Sequence, residues 1–245
     1  MVRSLALEIA VQDAAGVRVA REIGAARVEL AQGLALGGLT PSATTIELAL
    51  EASGADGPEI HVLVRPRSGG FFYDDGELAV IEGDIRHAVA RGVHGVVIGV
   101  QNAAGTLDVD ALARLRDAAG DASVTLHRVI DVTSDPLAAL DIVRELGFAR
   151  VLTSGGASSA IDGVDTLRAL VSRAEGAVQI MAGSGVSAAN VVEIADTGVD
   201  AVHFSAKRII NEQGGVRMGS ASDGVGGYEV TDLAEAQAIR AALGL

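Results

Sequence analysis

The sequence predicts one closed barrel of eight parallel strands with eight helices around it, an α/β fold of the TIM-barrel class, in a single domain spanning residues 1–245. Three observations carry this. A phrase recurs: a helical stretch, a Gly, two or three residues, then a short apolar run, as in GAARVEL from Gly24, GVHGVVIGV from Gly92, GDASVTLHRV from Gly120, GFARVLTSG from Gly147, GAVQIMAG from Gly176 and GVDAVHFSA from Gly198. With two further runs, Leu5 to Ala10 and Glu59 to Val64, the strands number eight, which is the count that closes a barrel. Finally, REIGAARVEL (21–30) and RELGFARVLT (144–153) echo each other and lead into strands two and six, half a barrel apart. A doubly wound open sheet is the alternative, but no GxGxxG follows the first strand.

Each element has a local reason. Glycine just past a helix end takes the left-handed conformation at little cost, and the apolar runs after it have strand length and composition. In the third strand Ile60, Val62 and Val64 alternate with His61, Leu63 and Arg65. Between Glu77 and Arg91, Leu78, Ile81, Ile85, Ala88 and Val89 fall on one helical face. The same spacing holds for Leu137, Leu140, Val143 and Leu146, with Ser134 or Asp135 as cap and Pro136 in the first turn. Gly214 to Gly227 reads as a surface excursion before a last helix, Asp232 to Leu243.

Composition narrows the function. The net charge of −13, without a block of Lys and Arg, excludes a nucleic-acid surface. There is no cysteine, so disulfides and thiolate metal sites are excluded. The first residues read as a strand instead of a signal peptide, and no apolar run reaches membrane-span length. A soluble, cytoplasmic homo-oligomer is expected.

The strand C-termini and the loops after them build the active face of such a barrel. Alternation places Glu8, Glu29, Arg65, Thr125, His127, His203 and Ser205 at that end, with Asp131 close enough in sequence to reach back to His127. Charged groups there are costly unless paired or used. Paired as Glu–Arg and His–Asp they would be structural. As a site, Glu8 and Glu29 would act as acid/base or ligands, with a divalent metal between them an open possibility. Arg65 would hold an anion, and His127 oriented by Asp131 would move a proton. The loops after strands six to eight, with Ser154, Gly183, Ser184, Gly185, Ser205 and Lys207, suit a phosphate or sugar-like ligand, and Ser187 can cap the helix that follows. After strand three, Arg65 and Arg67 flank a proline ahead of Phe71, Phe72 and Tyr73, half of the six Phe and Tyr residues in the chain. That loop either closes over something anionic or polar or plugs one end of the fold. His61 reads as a core histidine, and His87 and His94 as solvated.

Together these blocks form a recognisable set. LEIAV (7–11), RVELA with LGGLTPS (27–31, 36–42), VRPRSGGFFY (64–73), TLHRVID (125–131), RVLTSGG (150–156), IMAGSGV (180–186), AVHFSAKR (201–208) and GYEVTD (227–232) resemble the CutC family, the copper homeostasis proteins. The resemblance implies a TIM barrel and cytoplasmic copper handling, in some members through cysteines in the first two strand motifs. Those positions are Ala10 and Ala31 here, and Ala182 and Ser184 stand where the family shows proline and glycine. Two readings follow: from the resemblance, a copper-binding module, and from the residues, an acid/base enzyme for a small anionic or sugar-like molecule. An oligomeric scaffold is a third.

Overall fold

The computed structural model describes residues 5–211 and 227–245. Eight parallel strands close on themselves in chain order: β1 (Ala6–Val11), β2 (Arg27–Leu30), β3 (Glu59–Leu63), β4 (Gly95–Ile98), β5 (Ser123–Leu126), β6 (Arg150–Thr153), β7 (Gln179–Gly183) and β8 (Ala201–Phe204). The helices between and after them are α1 (Ala14–Glu22), α2 (Ala43–Ser53), α3 (Asp75–Ala90), α4 (Val109–Ala118), α5 (Pro136–Glu145), α6 (Val164–Ala174), α7 (Val191–Ala195) and α8 (Leu233–Ala242). None of them is long and apolar enough to cross a membrane. The six glycines that the recurring phrase sets after helices all have positive φ.

Caps fix the helix starts. Asp74 and Glu77 form a capping box on α3, Asp135 caps α5 ahead of Pro136, and Asp232 caps α8. One element was not expected. Lys207–Asn211 (β9) pairs antiparallel with Gly227–Thr231 (β10), a hairpin beside the barrel mouth. The rest of the glycine-rich excursion lies outside the described residues.

Alternation sorts the strand residues into two layers. Leu7, Ile9, Val28, Leu30, Ile60, Val62 and their counterparts face outward into one continuous apolar shell beneath the helices. Among the described residues the inward face has two small apolar clusters, Ala31–Leu63–Val97 and Leu152–Met181–Ala201. Between them lies a polar interior: Glu8, Arg27, Glu29, His61, Thr125 and Arg150 are all buried. Barrel interiors are ordinarily filled by branched aliphatic side chains. A polar filling has to be satisfied internally or used.

Candidate functional site

Arg27 and Arg150 find their partners on neighbouring strands. Arg27 Nε donates to Glu8 Oε2 at 2.9 Å, and its Nη2 reaches Met181 Sδ at 3.9 Å. Arg150, at the equivalent place in the echoed segment, donates to Thr125 Oγ1 at 3.0 Å and Gln179 Oε1 at 2.9 Å. Burial depresses the Arg150 pKa to about 10, with Arg27 adding repulsion. Below them, buried His61 donates from Nε2 to Glu59 Oε2 at 3.1 Å.

Glu8 and Glu29 have opposite environments. Burial opposes the Glu8 charge, but the hydrogen bond and charge of His203, with Arg27, outweigh it and hold the pKa at about 2. As an ionised acceptor, Glu8 Oε1 accepts a hydrogen bond from His203 Nδ1–H at 2.9 Å. Glu29, on the next strand, is 6% exposed, and among the described residues no hydrogen bond reaches its carboxyl oxygens. Burial, with repulsion from Glu8, raises its pKa to about 7 against the pull of His203. For His203, burial alone would lower the pKa; Glu29 and Glu8 together raise it instead. The Glu29 and His203 charges thus bias each other's protonation.

Both residues open onto a cavity of about 620 Å³ at the C-terminal mouth. Arg65 and His127 line its β3–β5 wall, and Ser184, Gly185, Ser205 and Lys207 its rim. Arg65 is buried and donates to the carbonyls of Leu36 (3.1 Å), Gly38 (3.0 Å) and Gly69 (2.7 Å). Among the described residues it has no carboxylate partner, so its charge is uncompensated. Phe71 packs on both groups: its ring centroid is 4.6 Å from that of His127, and the Arg65 guanidinium lies 5.4 Å from it. Phe71 is therefore a wall of the cavity, Phe72 is exposed, and Tyr73 is buried under the loop.

Several expected roles change. Asp131 does not orient His127. The turn after β5, Arg128–Val132, is a 3₁₀ helix, in which three residues complete a turn and Asp131 lies over Arg128. Arg128 Nε donates to Asp131 Oδ2 at 2.8 Å, and Thr153 Oγ1, Ser154 N, Ser154 Oγ and Gly156 N donate to the same carboxylate. Asp131 and Ser154 thus clasp the loop after β6, behind the cavity wall. His127 Nδ1 accepts from Val129 N at 3.1 Å instead, which leaves it no lone pair facing the cavity to take a proton. Arg67 is a loop staple: it donates to the carbonyls of Ser68, Gly70 and Phe72 and pairs with Glu77. Lys207 Nζ donates to Glu229 Oε1 at 2.6 Å, so its charge is already matched. Ser187 does not cap α7; its N–H donates to Asn190 Oδ1 at 2.8 Å. Glu8 sits behind His203, and Gly183 below the cavity, where an added Cβ would meet Leu152 at 2.6 Å.

Two residues escaped the sequence reading. Arg128 lines the cavity one residue after His127. Arg27 compensates Glu8; the internal echo carries an Arg at the same place in both copies, at 27 and 150, which was the available signal.

Glu8, Glu29 and His203 each offer a donor atom within 4.8 Å of the others, a set able to hold a cation. Both Glu8 oxygens already accept a bond, Oε2 from Arg27 and Oε1 from His203.

Comparison with known proteins places this architecture. The CutC family model matches residues 5–208. The chain belongs to the CutC family. A CutC family protein of Xylella fastidiosa (strain Temecula1) is 42% identical over 233 residues, covering 94% of this chain and 85% of that protein. One from Xanthomonas campestris (strain B100) is 40% identical over 236 residues, covering 96% and 97%. The crystal structure of CutC from Streptococcus agalactiae, named for a provisional role in copper homeostasis, superposes with a TM-score of 0.79 at 31% identity. It covers 82% of this chain and 99% of that one.

The CutC name raises the question of copper, and the donors present answer it poorly. Cu(I) selects thiolate and thioether ligands. Ala10 lines the cavity, Ala31 belongs to an apolar cluster with Leu63 and Val97, and Met181 is fully buried against Arg27. These residues do not fit Cu(I).

Proposed function

We propose that this CutC-family protein is a cytoplasmic enzyme that moves a proton on a small anionic or sugar-like molecule held at the barrel mouth. One observation carries the reading: a buried glutamate without a hydrogen-bond partner, raised to about 7, facing an open cavity. A general base works best when its pKa lies near the operating pH. A carboxyl group set in a buried residue, beside a second carboxylate and open to a cavity, has the perturbed titration that marks functional sites. Glu8 accepts from His203 Nδ1 and so orients the ring, and the charge of His203 acts on Glu29. The uncompensated charge of Arg65, with Arg128 beside the same cavity, supplies attraction for an anion. The family's copper role comes with its name, and no step of this chemistry passes through copper.

The test is proton exchange. The protein is incubated in D₂O with a panel of small oxo acids, hydroxy acids, sugar acids and sugar phosphates, and loss of C–H signals is followed by ¹H NMR. At least one compound should exchange a C–H proton in the presence of wild type, and Glu29→Gln should abolish that exchange. Exchange that persists unchanged in Glu29→Gln would remove Glu29 from the chemistry.

A further inference from the structure

We infer that His127 and Arg65 form an oxyanion-binding pair, and that the molecule bound is a small carboxylic acid with a carbonyl beside the carbon that exchanges its proton. The inference rests on the proton-transfer reading and names the substrate class for that site.

The geometry starts from the backbone. Val129 N–H donates to His127 Nδ1, so that nitrogen is an acceptor and the ring proton sits on Nε2. His127 Nε2 is buried and has no partner, in a residue that lines the cavity. A buried donor left unpaired is costly, and a ligand acceptor removes that cost. The ring is also held in place. Its Cε1 lies where a Cβ on Gly99 would stand, only 2.3 Å away, so only glycine admits it, and Phe71 packs against it from the loop after β3. Burial, reinforced by the charge of Arg65, keeps the imidazole neutral, with a pKa of about 3. It is therefore a fixed N–H donor at every ordinary pH.

Arg65 adds charge on the same wall. Three loop carbonyls hold its Nη atoms, while Nε is buried without a partner. Glu29 and His203 enter from β2 and β8, His127 and Arg65 from the ends of β5 and β3, all onto one cavity. A substrate lying between them loses a proton to the Glu29 carboxylate. The C–H electron pair forms the carbon–carbon double bond of an enolate, and the carbonyl π pair moves onto oxygen. That oxygen is taken up by Nε2–H and by the Arg65 charge, the donors this wall leaves without a partner. Return of the proton from Glu29 restores the acid.

Oxalate is the probe, a planar dianion resembling such an enolate. Protein carrying ¹⁵N-histidine is titrated with oxalate, the His127 signals being assigned by their loss in His127→Gln. The expected spectrum shows a neutral Nε2–H tautomer, unchanged from pH 8 to 5, whose signals shift on adding oxalate. Calorimetry should show oxalate binding weakened about tenfold or more in His127→Leu, the loss of one hydrogen bond to a charged acceptor. A ring that titrates between pH 8 and 5, an Nδ1–H tautomer, or oxalate binding that leaves His127 unshifted would each overturn the inference. The wild-type spectrum decides even where a variant fails to fold. If oxalate does not bind while Glu29-dependent exchange persists on other compounds, this inference fails and the proton-transfer reading stands. Loss of both removes both.

Discussion

Glu29 is a buried acid beside a second buried acid, and its pKa of about 7 makes stability depend on pH in a defined direction. The folded state holds this proton more tightly than the unfolded chain, where the value is near 4.5. Between those limits the folded protein binds more protons, so stability falls as pH rises, by about 3 kcal/mol in all. His203 adds to the same trend. Its pKa is raised, so its contribution is complete below the ordinary histidine value and is lost as pH rises through the folded one. Glu29→Gln should flatten the dependence and leave the variant more stable than wild type at pH 8, while proton exchange is lost. Urea unfolding at pH 5 and 8 measures this. A variant less stable than wild type at pH 8 would mean that the carboxylate has a structural partner. The second residue-scale prediction concerns space. Gly99→Ala forces a methyl into the His127 ring, and overpacking of this kind costs about 1–3 kcal/mol. It should also weaken oxalate binding, measured by calorimetry, whereas Gly83→Ala, in open space on α3, should not.

At the scale of elements, the loops are organised by side chains that the sequence had assigned to chemistry. Asp131 accepts from Thr153, Ser154, Gly156 and Arg128, and its removal leaves those donors without an acceptor. Asp131→Ala should cost about 3 kcal/mol in denaturant unfolding, roughly the penalty for unpairing buried donors from a charge. Ser184 shows the opposite sign. Its φ is +84°, in the left-handed region that favours glycine, and the family resemblance puts glycine there. Ser184→Gly should stabilise the protein by about 1 kcal/mol, offset in part by the lost Ser184 Oγ–Ser158 carbonyl bond. The start of α5 was legible because caps are local, Ser134 or Asp135 before Pro136, and the structure selects Asp135; Asp232, read as the first residue of α8, is its cap instead. The Asp131–His127 pairing was misread because a spacing of four implies an α-turn, and the chain forms a 3₁₀ turn there.

For the whole molecule, closure was legible in six repeated junctions and two further strand runs, eight strands in all, and closure is what makes the site. β1 meets β8 only because the sheet joins its own ends, which brings Glu8 to His203 across 195 residues of sequence. No local pattern encodes that contact, so the residues were nameable while their partners were not. Arg65 looked like a partner for glutamate, yet Arg27 takes that place and Arg65 donates to loop carbonyls instead. The same interior argues against tight copper binding. In a competition titration with a Cu(I) chelator, the protein should bind copper far more weakly than a relative with cysteines at the positions of Ala10 and Ala31. Tight one-to-one binding, lost on changing Met181 or His203, would reveal a thioether–imidazole site. The central claim, however, is the proton shared at the barrel mouth. Its most direct test is a ¹³C NMR titration of the Glu29 carboxyl carbon, assigned by its absence in Glu29→Gln. The account predicts a carboxyl group titrating near pH 7, coupled to His203; a Glu29 signal that titrates near 4.5, like an ordinary solvated glutamate, would contradict it.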